Sequence, residues 1–241
     1  MKKIMYRLFA LLMIVQLSAC TQSELQSALG TLLGSEELTT AEAGAGLKEA
    51  LTLGIGKGSD LLSQTDGYYK SVYKILLPEE ARKVTDKLQA IPGFTDVEEV
   101  ILEKINRGAE DAAKRAKPIF VAAIKQMTFQ DAMGILMGEQ NAATQYLNRT
   151  TFDQLYAEFN PVIIESLDKF NARQYWGDAV GTYNQIPFVQ KVNPDLGDYV
   201  TQQALTGLFS MVEKEELNIR QNVSARTTDL LRKVFAKQDN K

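Results

Sequence analysis

Apolar side chains recur every three or four residues along most of this chain, which is the spacing of one face of an α-helix. The longest such run spans residues 96–149. Small residues dominate the middle of its first half, so we expect another helix to pack closely there. The apolar stripe of that half consists of Val97, Ile101, Ile105, Ala109 and Ala112.

Capping residues and prolines predict where the helices begin and end. Thr39 with Glu42 marks the start of a helix that we expect to reach about Leu62, and Thr128 with Asp131 marks another. Pro118 is expected to kink or end the preceding helix, because proline lacks an amide proton and its ring clashes one turn back. Further starts are predicted at Pro78, at Thr150 or Thr151, at Asn193-Pro194-Asp195 and at Ser224, with a break at Asn160-Pro161.

One segment, residues 71–77, has the β-branched and aromatic composition of a strand. It has no partner strand elsewhere in the sequence, so we interpret it as an extended connector or a helix end. The sequence therefore predicts an all-α fold, with a single bundle-like domain of about nine helices. We assign residues 39–236 to this domain, residues 20–38 to a lipid-anchored tether and residues 237–241 to a polar tail.

The amino terminus has the pattern of an export signal. Lys2, Lys3 and Arg7 precede an apolar run over residues 8–15, and Leu17-Ser18-Ala19-Cys20 follows. The run is shorter than the roughly 20 residues that a membrane-spanning helix needs. We therefore assign residues 1–19 to a signal peptide.

Leu17-Ser18-Ala19-Cys20 also resembles the lipobox of bacterial lipoproteins. The resemblance implies cleavage before Cys20, diacylglycerol on its sulfur and acylation of the new amino terminus. Several acyl chains, at about 0.8 kcal/mol per buried methylene, give durable attachment. Residue 21 is Thr and not Asp, which by the sorting rule of Gram-negative lipoproteins favours the periplasmic face of the outer membrane over the inner membrane. The alternatives are an ordinary cleaved secretory signal and a cysteine that occurs at this position by chance.

Two residue counts restrict the chemistry. The 241 residues include no histidine and one cysteine, which excludes Ser-His-Asp and Cys-His catalysis, His-ligated zinc and an internal disulfide. Acid–base catalysis would have to use carboxylates, lysine or tyrosine. We predict no cofactor and assign no metal ligand.

Charge argues against a nucleic-acid partner. The chain has 27 basic and 30 acidic residues. Loss of Lys2, Lys3 and Arg7 with the signal peptide leaves 24 basic residues against 30 acidic ones, a formal net charge of −6. Nucleic-acid binding depends on neutralising phosphates, so we expect the partner to be the membrane, through the acyl chains on Cys20, together with an envelope protein or an apolar ligand.

Polar residues of the central stretch are the first candidates for a ligand site. Asn106 and Glu110 lie one turn apart beside the small-residue stripe, with Arg107 between them, and could point into an interhelical crevice. Two carboxylates such as Glu110 and Asp131 in one crevice could bind a divalent ion or perform acid–base chemistry. The simpler interpretation is a surface ion pair of Glu110 with Lys114 and a helix cap for Asp131.

Aromatic residues form the second candidate site, from which we single out Tyr146 and Trp176 as ligand-binding residues. Helical domains can build apolar cavities between helices, but aromatic residues at helical spacing more often form plain core. The group consists of Tyr146, Phe152, Tyr156, Phe159, Phe170, Tyr175, Trp176 and Tyr183.

A series of short segments occurs in a fixed order: residues 46–51, 106–113, 127–132 with 135–136, 143–146, 195–201, 207–209 and 215–220. Together they resemble a bacterial family catalogued only as a domain of unknown function, whose members are exported helical proteins, many with lipoprotein signals. The resemblance covers residues 38–235 and implies the fold class and the compartment. It implies no activity and no catalytic residues.

Two functions remain open from the sequence. The first is a membrane-anchored periplasmic module that binds an envelope protein or an apolar ligand. The second is a carboxylate-based or metal-assisted periplasmic hydrolase. The lack of histidine and of any nucleophile signature favours the first. A closed aromatic core without a cleft would argue against the apolar ligand, and Glu110 and Asp131 converging in an open pocket would favour the enzyme.

Overall fold

The structure is a computed structural model that describes residues 39–77, 82, 86, 96–169, 171–192 and 194–236. Within these ranges the chain forms eight α-helices and one short 3₁₀ helix, with no strand, which confirms the all-α prediction. The helices are α1 (Thr40–Leu62), α2 (Val97–Ala113), α3 (Ala116–Gln126), α4 (Phe129–Met137), α5 (Ala142–Lys169), α6 (Ala172–Asn184), α7 (Leu196–Gln221) and α8 (Asp229–Phe235), and the 3₁₀ helix is Val223–Ala225.

Several predictions lie outside the described residues. They are the signal peptide, the tether, the polar tail and the helix predicted to start at Pro78. The boundaries that we gave these segments therefore stay predictions. The predicted connector over residues 71–77 is described, and residues 74–77 have no regular secondary structure, as expected for a connector.

Helix α1 is a central element that packs against α3, α4, α7 and α8. Its residues Leu47, Ile55 and Leu62 are buried, at intervals of eight and seven residues that fit one helical face. Gly46 and Gly58 allow close approach of its neighbours. A Cβ at Gly46 would lie 2.5 Å from Val234 Cγ2, so even alanine there would force α8 away from α1.

Helix α2 buries the predicted apolar stripe against α5. Ile101, Ile105, Ala109 and Ala112 are all fully buried. The small residues face α5, as expected: a Cβ added at Gly108 would lie in ordinary van der Waals contact with Ser166 Cβ of α5, at 3.4 Å.

The helical run stops before Pro118, as predicted. Helix α2 ends at Ala113, and α3 starts at Ala116 after a two-residue turn. Pro118 thus lies in the first turn of α3, where its missing amide proton leaves no intrahelical hydrogen bond unmade. The prediction that Thr128 caps the next helix is also confirmed, because its side chain accepts a hydrogen bond from the Asp131 amide.

Two predicted boundaries inside α5 are wrong. The helix continues without interruption through Thr150, Thr151 and Pro161. The Thr151 hydroxyl donates to the Leu147 carbonyl one turn back (2.6 Å) and so does not act as a cap. Pro161 lies on an exposed face, where water can bind the carbonyl that loses its partner.

Burial on the opposite face explains why this helix tolerates proline. Phe159 and Ile163 flank Pro161 and are both fully buried. Each contributes about 1.5–3 kcal/mol on burial, which offsets the roughly 3 kcal/mol that an internal proline costs.

The last two helices start later than the sequence predicted. Asp195, and not Asn193, is the N-cap of α7, and its carboxylate accepts from the Gly197 amide (3.0 Å). Ser224 belongs to the 3₁₀ helix, whereas Thr228 caps α8. In both cases a second capping residue lay a few positions further along the chain.

A buried ion pair, which we call the Glu216–Arg220 junction, joins three helices. Glu216 accepts from the Ala143 and Thr144 amides at the start of α5 (3.0 and 2.8 Å), and Arg220 Nη2 donates to Glu216 (2.8 Å) and to the Ile135 carbonyl near the end of α4 (2.9 Å). The two residues are 6% and 8% exposed. The junction thus supplies partners for helix ends that would otherwise lack them.

Candidate functional site

Asn106, a candidate ligand-binding residue, is fully buried and binds the backbone of the connector. Its Oδ1 accepts from the Ile75 amide (2.8 Å), and its Nδ2 donates to the Ile75 carbonyl (2.9 Å) and to the Leu102 carbonyl of its own helix (2.7 Å). The side-chain amide thereby makes the two backbone hydrogen bonds to Ile75 that a neighbouring β-strand could otherwise make. It has no donor or acceptor directed at solvent.

The connector as folded runs over residues 66–77, with turns in residues 66–73, and Glu110 holds its first part. It is 5% exposed, and its Oε1 accepts from the Tyr68 and Tyr69 amides (3.2 and 3.1 Å). The predicted surface pair with Lys114 is wrong, because Lys114 pairs with Asp111 (2.8 Å). Two buried backbone amides of a turn need an acceptor, and Glu110 supplies it.

Arg107 links Glu110 to the turn after α1. Its Nη1 donates to Glu110 Oε2 and its Nη2 to Asp66 Oδ1, each at 2.8 Å. Hydrogen bonds from Arg107 and then Lys70 lower the pKa of Asp66. The bond to Glu110 is the largest cause that raises the pKa of Arg107.

Asn106, Arg107 and Glu110 together form what we call the clasp, which fastens residues 66–77 to α2. Tyr68 completes the attachment: it is fully buried, and its hydroxyl donates to the Ala204 carbonyl of α7 (2.7 Å). Burial, and then the charge of Glu110, raise the pKa of Tyr68 above the usual range. The three candidates on α2 therefore have a structural role in this fold.

A polar cleft of about 250 Å³ lies beside the clasp. Asp131 does not line it, so Glu110 and Asp131 do not meet there as the enzyme hypothesis required. Arg107 and Glu110 contribute to its wall, but both are engaged with each other and with the connector. The lining residues are Ser63, Thr65, Arg107, Glu110, Asp111, Lys114, Glu165, Ser166 and Lys169.

Asp131 has the capping role that the simpler interpretation gave it. Its Oδ2 accepts from the Thr128 hydroxyl (2.6 Å) and the Thr128 amide (2.9 Å), which lower the pKa of Asp131. Tyr146 is half-buried nearby. Burial, and then the charge of Asp131, raise the pKa of Tyr146, and the Arg149 guanidinium lies 5.8 Å from its ring centroid.

Trp176 belongs to the core. Trp176 is 2% exposed, Phe159 is fully buried and Tyr183 is 5% exposed. A void of about 10 Å³ lies between α1, α5, α7 and α8, and it is far too small for a ligand. Phe159, Trp176 and Tyr183 therefore fill space between helices, whereas Tyr146, Phe152 and Tyr156 are only half-buried. The side chains of Phe170 and Tyr175 lie outside the described set.

A larger cleft, which sequence reasoning missed, runs between α5 and α7. This α5–α7 cleft has a volume of about 410 Å³. Phe209 is nearly buried and Phe152 half-buried, so they give it an apolar base, while Arg149 is exposed at its edge. The lining residues are Thr144, Gln145, Asn148, Arg149, Phe152, Thr206, Phe209, Ser210 and Glu213.

Across the described ranges, no group of three or more cysteine or acidic side chains is arranged to hold a metal ion. In the same ranges, no helix combines the length and the hydropathy needed to cross a bilayer.

Fold and sites together define an all-helical domain with buried polar clusters and open surface clefts. The chain belongs to the family described as "Protein of unknown function (DUF4197)", whose sequence model matches residues 37–236. This confirms the resemblance seen in the sequence, and the family description carries no activity. No curated protein and no solved structure matches the chain.

Proposed function

We propose that this protein is a lipid-anchored envelope protein that acts by binding and not by catalysis. The observation that carries the anchor is Leu17-Ser18-Ala19-Cys20, directly after a short apolar run with basic residues before it. Thr21 supports the periplasmic face of the outer membrane as its location. A protein held there needs no membrane-spanning helix, because acyl chains supply the attachment.

The engagement of the candidate carboxylates supports binding over catalysis. A carboxylate that acts as a general base must be free to take a proton from a substrate. Both oxygens of Glu110 accept hydrogen bonds from the connector or from Arg107, and Asp131 binds the start of α4. Neither arrangement favours the hydrolase alternative.

The α5–α7 cleft is the binding surface in this proposal. Its volume of about 410 Å³ falls within the roughly 300–1,000 Å³ of typical ligand sites. Gln145, Asn148 and Ser210 offer donors and acceptors around the apolar base. That combination suits an extended segment of another envelope protein, with one apolar side chain against Phe209, better than a purely apolar ligand, which would leave the polar edge unpaired.

Lipidation is tested with Cys20→Ser in the full chain. Wild type should float with membranes in a density gradient and incorporate labelled palmitate, and Cys20→Ser should do neither. Thr21→Ser, which keeps the cysteine, is the control and should behave as wild type. Membrane flotation of Cys20→Ser, or an unlabelled wild type, would overturn the anchor.

Binding at the cleft is tested by affinity purification from solubilised envelope extract. Phe152→Glu places a charge on the apolar base, so proteins that co-purify with the wild type should not co-purify with this variant. Gln154→Glu makes the same kind of charge change on the exposed opposite side of α5 and should retain them. Identical proteins on wild type and Phe152→Glu would remove the cleft from the proposal.

A further inference from the structure

The loop between α6 and α7 presents an aromatic side chain to solvent. Phe188 is 107% exposed, the highest value among the exposed large apolar residues that the structure describes. Its φ is 64°, in the left-handed region that bulky residues rarely adopt. A strained backbone conformation of this kind persists only where the surrounding structure holds it in place, and it is common at binding and catalytic sites.

Two hydrogen bonds at the base of the loop restrain it. The Asn184 side chain accepts from the Val192 amide (3.0 Å) and donates to the Val192 carbonyl (3.1 Å), which closes residues 185–191 into a fixed loop. Burial of a phenylalanine ring is favourable, yet this loop holds the ring outward. The ring is therefore ready for a surface outside the domain, with little ordering left to do.

The chemistry of the loop fits a lipid surface. The loop of residues 185–191 contains no Asp or Glu, and its one charged side chain is Lys191, which is exposed; the nearest acidic residues along the chain are Asp178 and Asp195. This stretch belongs to a chain with more acidic than basic residues. Aromatic rings and lysine side chains are the groups that settle at the boundary between headgroups and acyl chains, where the ring is partly buried and the ammonium reaches anionic headgroups.

We propose that the loop of residues 185–191 contacts the membrane that carries the protein, with Phe188 at the headgroup–acyl boundary and Lys191 at anionic headgroups. This rests on the proposed lipid anchor. One aromatic residue binds a bilayer weakly, but the anchor turns that contact into an intramolecular event at high effective concentration. The contact therefore sets the orientation of the domain on the membrane.

The test uses full-length lipidated protein in vesicles of phosphatidylethanolamine and phosphatidylglycerol, some with brominated acyl chains that quench tryptophan. Trp176→Phe first removes the native tryptophan, and Phe188→Trp is then added as a probe. The control probe is Val223→Trp, at a residue 55% exposed beyond the far end of α7, whose 26 residues span roughly 39 Å at 1.5 Å per residue.

A ring at the boundary lies about 5–10 Å deep, so we expect brominated lipid to reduce the emission of the Phe188→Trp probe to about half and to leave the Val223→Trp probe unchanged. Equal quenching of both probes, or none at position 188, in protein that floats with the vesicles would overturn this contact while the anchor stands. If the protein does not float, the anchor itself has failed. If vesicles that lack phosphatidylglycerol quench the Phe188→Trp probe as strongly as vesicles that contain it, the role of Lys191 is overturned.

Discussion

The clasp and the Glu216–Arg220 junction are both buried polar clusters, but they stabilise different kinds of backbone. The junction binds the ends of two helices, whose free amides and carbonyls are expected from the helical geometry itself. The clasp binds a connector that has no regular structure and therefore needs a partner for its backbone groups from elsewhere. Polar side chains beside a stripe of small residues can thus resemble a ligand-binding site even though they bind backbone groups of the same chain.

The two clusters also differ in their access to water. Glu216 and Arg220 have side chains that are 4% and 6% exposed, whereas the Arg107 side chain of the clasp is 25% exposed at the polar cleft. Removing Glu216 leaves the Arg220 charge without solvent, whereas Arg107 of the clasp can be hydrated and Asn106, although fully buried, is neutral. We therefore expect the junction to be the more sensitive of the two.

Glu216→Ala should cause the largest loss, about 3–5 kcal/mol of unfolding free energy, because it leaves Arg220 as an unpaired buried charge. Urea denaturation followed by circular dichroism measures it. Asp168→Ala, which removes an exposed ion pair with Arg173, is the control and should cost less than about 1 kcal/mol. A loss at Glu216 no larger than the control would show that the junction is not the stronger cluster.

Asn106→Ala should cost about 2–3 kcal/mol, since it leaves the amide and the carbonyl of Ile75 without their buried partner. The effect should also be local: hydrogen exchange should quicken at Ile75 and Leu77 more than along α5. Glu158→Ala, at an exposed position on α5, should change neither quantity appreciably. Uniform acceleration across all helices would contradict the idea that the clasp serves the connector.

Asp66→Asn should have the smallest effect, and one that depends on pH. The pKa of Asp66 is lowered in the folded protein, so its contribution is present above the ordinary pKa of about 4 and disappears as the pH falls through the folded value. The stability gap between wild type and Asp66→Asn should therefore close as the pH falls from about 5 toward 3. The penalty of Asn106→Ala involves no titrating group at that position and should stay constant, and a constant gap for Asp66→Asn would contradict the prediction.

Local patterns in the sequence were enough to predict much of the fold. The spacing of Ile101, Ile105 and Ala109 predicted the buried face of α2, because a helical period depends only on neighbours along the chain. Thr128 and Asp131 predicted a cap for the same reason. Pro161 was misleading, since the burial of Phe159 and Ile163 in the tertiary structure outweighs its local preference.

The candidate site was harder to predict from local sequence patterns than the fold. Asn106 was correctly singled out as a polar residue facing inward, but its partner Ile75 lies 31 positions away and carries no signal of its own. The α5–α7 cleft combines Phe152 with Phe209 from two helices that are separate in sequence. The packing of the whole domain decides which helices become neighbours, and the spacing of apolar residues along the sequence does not show this.

The connector after α1 owes its order to side chains of another helix, and this has a consequence for how the protein can be cut. Proteases need an extended stretch that can leave the surface, and residues 74–77, which have no regular secondary structure, can do so while the helices stay folded. Lys74 is half-exposed at the start of that stretch. Limited trypsin digestion should therefore cut after Lys74 before it cuts within the described helices, and leave two fragments that remain associated through α1 and α7.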